Sequence, residues 1–158
     1  MEEQTAKKTS KITAYSLEDV EKLGLRISAD EREYLANGFS WYHHIRTDVV
    51  GTVLTGLRGS TLEIWASDIR WYYDTTYETE ITSPKGNGLV APAGWSFPGA
   101  LQFGIVIHQV GGVFRQLINK EGDPQIVDLD PGKDVKVSVN DAGSGDNGGA
   151  FNIWAKAY

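Results

Sequence analysis

The chain has 158 residues, of which 41% are hydrophobic and 23% are charged, as expected for one folded domain. It has no cysteine, which excludes disulfides, thiolate metal sites and cysteine nucleophiles. The 15 basic and 21 acidic residues give a net charge of −6, so nucleic acid is not an expected partner. The longest uncharged stretch, residues 86–114, holds two prolines and seven glycines, so we expect no transmembrane segment. The polar N-terminus shows no secretory signal, which predicts cytoplasmic synthesis, with a non-classical route if the protein is exported.

The first 38 residues differ in composition from the rest, because they hold eight acidic and six basic residues and no tryptophan. We predict a disordered start at residues 1–12 and then two short helices. Each helix begins at a serine with an acidic residue three positions later: Ser16 with Asp19, and Ser28 with Glu31. Gly24 ends the first helix and Asn37-Gly38 the second. This extension is either an appendage that packs on the main domain or an arm that docks a protein partner through residues 13–37.

Residues 39–158 show the period of β-strands. Strand-like segments occur at 52–55, 61–65, 101–107, 134–139 and 151–155. Glycine- and proline-containing turns separate them, and no helical period intervenes. The pattern predicts an all-β domain, an antiparallel β-sandwich or jelly roll, with a short helical N-terminal extension.

A glycine-rich loop between the last two predicted strands carries a set of oxygen-bearing side chains. Asp141, Asp146 and Asn147 lie within seven positions, and the intervening glycines allow backbone carbonyls to turn inward. Calcium prefers six to eight such oxygen ligands. The loop does not have EF-hand spacing, and an ordinary hairpin loop would have a similar composition. Both interpretations stay open at this point.

The order of these motifs has a known counterpart. Asn140-Asp141, Asp146-Asn147 and Gly149-Ala150-Phe151 resemble the last hairpin of the PA-IL-type bacterial lectins, which are small calcium-dependent galactose-binding jelly-roll sandwiches. Residues 97–101, followed by Gly111-Gly112, are similar to a further strand and turn of that family. The resemblance covers residues 39–158 and leaves residues 1–38 outside it.

The resemblance implies a calcium site. Its side-chain ligands would be Asp141, Asp146 and Asn147, which match the family's three positions. The family adds two backbone carbonyls, for which Tyr72 and Ser144 are the candidates. Trp71 or Tyr73 replaces Tyr72 if the register differs by one residue.

The resemblance also implies that a sugar binds at the calcium. Its candidate contacts in this chain are Asp141, Asp146, Tyr73, Asn87 and Trp71, and Tyr77 and Trp95 add to the stock of aromatic residues near them. The loop is two residues shorter than in the galactose binders, and the histidine that contacts galactose has no equivalent near Ser83-Pro84. We therefore expect a glycan partner that is galactoside-like or larger, with specificity altered from galactose. A second copy of the chain is a candidate partner, since multivalency raises weak affinity.

Enzyme chemistry is not expected. His43 and His44 are neighbours, and neighbouring strand residues point to opposite faces, so they would not act together. His108 lies in an apolar run and is expected to be a hydrogen-bonded core or interface histidine. No nucleophile elbow, phosphate loop or zinc-helix motif is present. The alternative to a lectin-like module is a protein-interaction or toxin-targeting β-sandwich that binds a partner rather than a glycan.

Overall fold

The computed structural model describes residues 10–47, 50–73, 79–142 and 147–158. Within these ranges the chain forms ten β-strands and two short helices. In chain order they are β1 (Ser10–Ile12), α1 (Leu17–Leu23), α2 (Ala29–Ala36), β2 (Ser40–Arg46), β3 (Thr52–Leu54), β4 (Thr61–Tyr72), β5 (Glu80–Ile81), β6 (Ile105–His108), β7 (Arg115–Gln116), β8 (Gln125–Asp128), β9 (Val135–Val139) and β10 (Gly148–Ala157). The predicted all-β class is therefore confirmed.

The strands form two sheets. The first has the order β1-β3-β9-β6-β7, and the second has the order β2-β10-β4-β5. Strand β8 pairs with the first residues of the 12-residue strand β4, and β5 pairs with its last two residues. All pairs are antiparallel except β1 with β3, which is parallel. The long strand β4 therefore runs from one end of the second sheet to the other.

A shared core lies between the two sheets. The second sheet contributes Tyr42, Ile45, Ile64, Phe151 and Ile153, and the first contributes Leu54, Ile105, Ile107, Val137 and Val139. Their burial follows the alternation of side chains along each strand. In β10, Phe151 and Ile153 face this core. Trp154, which directly follows Ile153, faces the opposite side of the sheet.

Both helices begin at the predicted caps. The Ser16 Oγ accepts from the Asp19 N–H, and the Asp19 carboxylate accepts from the Ser16 N–H. Ser28 and Glu31 form the same reciprocal pair. Gly24 ends α1 in the left-handed region, with φ of 65°. In the described part of the chain, no helix has the length and apolar character needed to cross a membrane.

The helices cover the outer face of the second sheet. Three tryptophans lie there, with Trp154 stacked on Trp41 at 5.6 Å and on Trp65 at 6.2 Å between ring centroids. Val20 of α1 and Leu35 of α2 are buried against this cluster. The apolar side of the predicted docking segment, residues 13–37, is thus engaged by the protein's own sheet.

The start of the chain contains a strand. Residues 10–12 pair in parallel with β3, with Ser10 opposite Thr52 and Ile12 opposite Leu54. The prediction of disorder is therefore wrong for residues 10–12, because the period-two signal of three residues is too short to detect in a sequence. Residues 1–9 lie outside the described ranges.

Candidate functional site

The residues on either side of the β9–β10 loop face the same end of the sandwich. Asp141 follows β9 and is buried, and its backbone carbonyl accepts from the Ser96 N–H at 3.2 Å and from the Ser96 Oγ at 2.8 Å. Asn147 precedes β10 and is half-buried, and its Nδ2 donates to the Thr47 carbonyl at 3.3 Å. The loop thus crosses from the first sheet to the second, with an oxygen-bearing side chain at each side of the crossing.

The register of β10 places the predicted carbonyl ligand beside this loop. Gly148 pairs with Tyr72, so the backbone of Tyr72 lies next to that of Asn147. The other two predicted ligands, Asp146 and Ser144, lie outside the described residues. Among the residues that are described, no three His, Asp or Glu side chains gather to hold a metal ion. Calcium also accepts amide and backbone carbonyl oxygens as ligands.

Asn140 fixes the neighbouring segment against the end of β9. Its side chain is fully buried, accepts from the Phe97 N–H at 2.9 Å, and donates to the carbonyls of Phe97 at 2.9 Å and Leu101 at 3.1 Å. Its backbone pairs with Gly104 and accepts from the Phe103 N–H at 2.7 Å. Residues 96–104 are therefore held in place directly beside Asp141.

Three half-buried aromatic side chains, Tyr73, Trp95 and Phe103, form what we call the aromatic platform. The rings of Tyr73 and Phe103 stack with centroids 3.7 Å apart, and Trp95 meets Phe103 edge-on at 5.1 Å. Phe103 is attached to the β9 side of the loop through Asn140, and Tyr73 directly follows Tyr72 on the β10 side. The platform therefore spans the gap between the sheets, next to the loop.

The remaining predicted sugar contacts have different outcomes. Trp71 is fully buried in the core between the sheets, so its prediction as a sugar contact is wrong: no face of its ring reaches solvent. Asn87 is exposed, and its Nδ2 donates to the Oε1 of Gln102, the residue before Phe103, at 3.1 Å. Tyr77 lies outside the described residues.

Phe103 is the residue that the sequence analysis missed. The sequence pattern predicts a strand over residues 101–107, whereas β6 begins at Ile105 and residues 102–103 form a turn. Phe103 itself has φ of 61°. Gly104 is the residue that could have indicated this turn, because a glycine inside an apparent strand often marks a bulge or a turn.

The expectation that His43 and His44 point to opposite faces is wrong. Both side chains are exposed and their ring centroids lie 6.1 Å apart. The pairing of β10 shifts register around Asn152, which marks a β-bulge, and His44 opposite it adopts φ of 60°. A bulge re-aims the side chains next to it, so both histidines reach the outer face of the second sheet.

His108 matches the prediction of a hydrogen-bonded structural histidine. Its Nε2 lies 2.8 Å from the Ser138 Oγ, and its ring packs against Phe97. Burial, followed by the nearby charge of Lys136, lowers the pKa of His108 to about 4. The side chain is therefore neutral at neutral pH.

Comparisons of this chain with models of protein families, with curated proteins and with solved structures gave no match.

Proposed function

We propose that the protein is a carbohydrate-binding module with a jelly-roll sandwich fold, which holds a glycan at the end of the sandwich with the help of calcium. The observation that carries this proposal is the aromatic platform beside the β9–β10 loop. Pyranose rings stack an apolar face on aromatic rings while their hydroxyls bond to nearby carboxylates and amides. The platform and the loop offer these two kinds of surface side by side.

The loop residues fit calcium in one specific respect. Asn147 Oδ1 is buried and has no hydrogen-bond partner among the described residues, and leaving a buried acceptor unsatisfied is costly. A cation would satisfy this oxygen. We propose Asp141 and Asn147 as side-chain ligands and Tyr72 as a carbonyl ligand, with Asp146 and Ser144 completing the set. Bound calcium would coordinate hydroxyls of the glycan.

The platform favours a glycan larger than one galactose unit. The stack of Tyr73 on Phe103 occupies one face of each ring, so a sugar ring would have to use the remaining surface of these two side chains and the ring of Trp95. Asn87 extends the polar surface past the platform, on the segment that packs against Gln102. We therefore propose that plain galactose binds weakly and that affinity comes from a second sugar unit that reaches Asn87.

A glycan array read in millimolar calcium and again with chelator tests the proposal. Wild-type protein is expected to bind a subset of glycans only when calcium is present. Tyr73→Ala and Asn87→Ala should each weaken that binding about tenfold, the loss expected for one stacking or hydrogen-bonding contact. Tyr158→Ala is the matched control, because Tyr158 is exposed and follows the opposite end of β10.

Two results would contradict this proposal. The first is the absence of glycan binding in either buffer, which would favour the protein-interaction alternative. The second is an equal loss of glycan binding in Tyr73→Ala and Tyr158→Ala, which would show that the glycan does not bind at the aromatic platform.

A further inference from the structure

The outer face of the second sheet carries an open groove of about 330 Å³ beyond the tryptophans that the helices cover. Gly149 and Ala150 of the central strand β10 form its floor. Larger side chains form its walls, with His43 on β2 and with Arg70 and Tyr72 on β4. The groove exists because small residues on β10 lie between long side chains on both neighbouring strands.

One end of the groove presents hydrogen-bond acceptors. Asn152 Oδ1 accepts from the His44 N–H at 2.7 Å and lies 3.1 Å from His43 Nδ1. Because this atom is an acceptor, His43 Nδ1 must carry the proton, which leaves the Nε2 lone pair of the neutral ring available. Asn152 Nδ2 donates to one oxygen of Asp68 at 2.9 Å, so the other oxygen can accept as well.

The other end presents positive charge. Ala150 pairs with Arg46 on β2 and with Arg70 on β4, and residues that pair directly across antiparallel strands point to the same face. Arg70 Nε donates to Glu80 at 2.7 Å and to the Tyr72 hydroxyl at 3.2 Å. These bonds fix the Arg70 side chain while its two terminal nitrogens have no partner among the described residues. Arg70 and Glu80 form an ion pair through the 2.7 Å bond, whereas Arg46 forms no ion pair with a described residue.

We propose that this groove binds an acidic sugar unit, a hydroxylated ring that carries a carboxylate. The carboxylate lies over Ala150 between Arg46 and Arg70, since planar carboxylates pair well with guanidinium groups. The ring hydroxyls donate to His43 Nε2 and to the second oxygen of Asp68. The groove shares its class of ligand with the proposed function, but it lies on the sheet face and needs no calcium.

The test is an NMR titration of the ¹⁵N-labelled full chain with D-galacturonic acid, in buffer with EDTA. Saturable shifts are expected at the amides of His43, His44 and Asn152. D-Galactose, the neutral counterpart, is expected to bind at least about tenfold more weakly, because it lacks the charge-assisted pairs. Arg46→Gln and Arg70→Gln should each weaken galacturonate binding by a similar factor.

Arg115→Gln is the matched control, because it removes the same charge from an exposed residue on β7 of the first sheet. The proposal is overturned if the groove amides show no saturable shift, if galactose binds as well as galacturonate, or if Arg115→Gln weakens binding as much as the groove variants. EDTA removes calcium from the loop, so this titration does not depend on the loop site. Calcium-dependent binding in the glycan array, in turn, does not depend on the groove.

Discussion

Replacing Leu35 with alanine should destabilise the whole sandwich, because this side chain links the N-terminal helices to the second sheet. Leu35 is only 8% exposed and packs in one cluster with Val20, Trp41, Trp65 and Trp154. Buried leucine-to-alanine changes cost roughly 2–5 kcal/mol, according to the cavity that remains. If Leu35→Ala lowers the free energy of unfolding by about 3 kcal/mol, and this free energy falls by about 2 kcal/mol per molar urea, the unfolding midpoint falls by about 1.5 M urea.

Urea unfolding, followed by tryptophan fluorescence and far-ultraviolet circular dichroism, measures this effect. Leu23→Ala is the matched control, because it makes the same chemical change on the neighbouring helix at a side chain that is 59% exposed. Leu23→Ala should lower the free energy of unfolding by no more than about 0.5 kcal/mol. Equal midpoints for the two variants would refute the reasoning. So would a Leu35→Ala protein whose helices melt while its tryptophan transition stays at the wild-type midpoint.

Two further predictions concern pH and backbone packing. The stability of the folded chain should fall as the pH drops from 6.5 towards about 4, because in this range the unfolded chain protonates His108 and the folded chain does not. His108→Gln should flatten this slope and His44→Gln should leave it, which urea unfolding across this pH range would show or contradict. Gly149→Ala should cost at least about 2 kcal/mol more than Gly132→Ala. Both glycines have positive φ, but a Cβ on Gly149 would lie 2.3 Å from the Arg70 carbonyl oxygen, whereas Gly132 has open space. Similar melting temperatures for the two glycine variants would contradict this account.

Local signals in the sequence were enough to predict much of the fold. Ser16 and Ser28 allow the helix starts to be predicted, because a capping box forms within four residues and needs no distant partner. The period-two segments predict the strands for a similar reason, since the alternation of apolar and polar side chains is a property of each strand alone. The pairing order is different: it joins residues far apart in the sequence, such as Ser10 with Thr52, and no local pattern encodes it.

The candidate site was predictable only where its residues are adjacent in sequence. Asp141 and Asn147 stand out because the loop concentrates oxygen-bearing side chains between glycines. Phe103 could not be found in this way, because its role depends on the turn that Asn140 holds and on the stack with Tyr73. Trp71 is the opposite case, a residue that the sequence assigns to the site and the structure places in the core. An aromatic residue at the end of a long strand has the same local sequence whether it faces the core or the solvent.

The bulge at Asn152 explains why the groove on the outer face of the second sheet could not be predicted from the sequence. A regular strand would place His43 and His44 on opposite faces, and the sequence gives no sign that β10 shifts register there. Asp68 on β4, with φ of 48°, and His44, with φ of 60°, adopt the left-handed conformation on either side of the bulge. Histidine and aspartate tolerate this conformation better than most residues, but tolerance alone does not predict it.

Isothermal titration of the full chain with calcium tests the central claim most directly. We predict one saturable site per chain, and loss of its heat signal in Asp141→Asn, with the fold of the variant checked by circular dichroism. Asp134→Asn is the control, because it removes the same charge from an exposed residue just before β9 and should bind calcium as wild type does. The absence of heat with millimolar calcium, or equal loss in both variants, would contradict a calcium-assisted site at the β9–β10 loop.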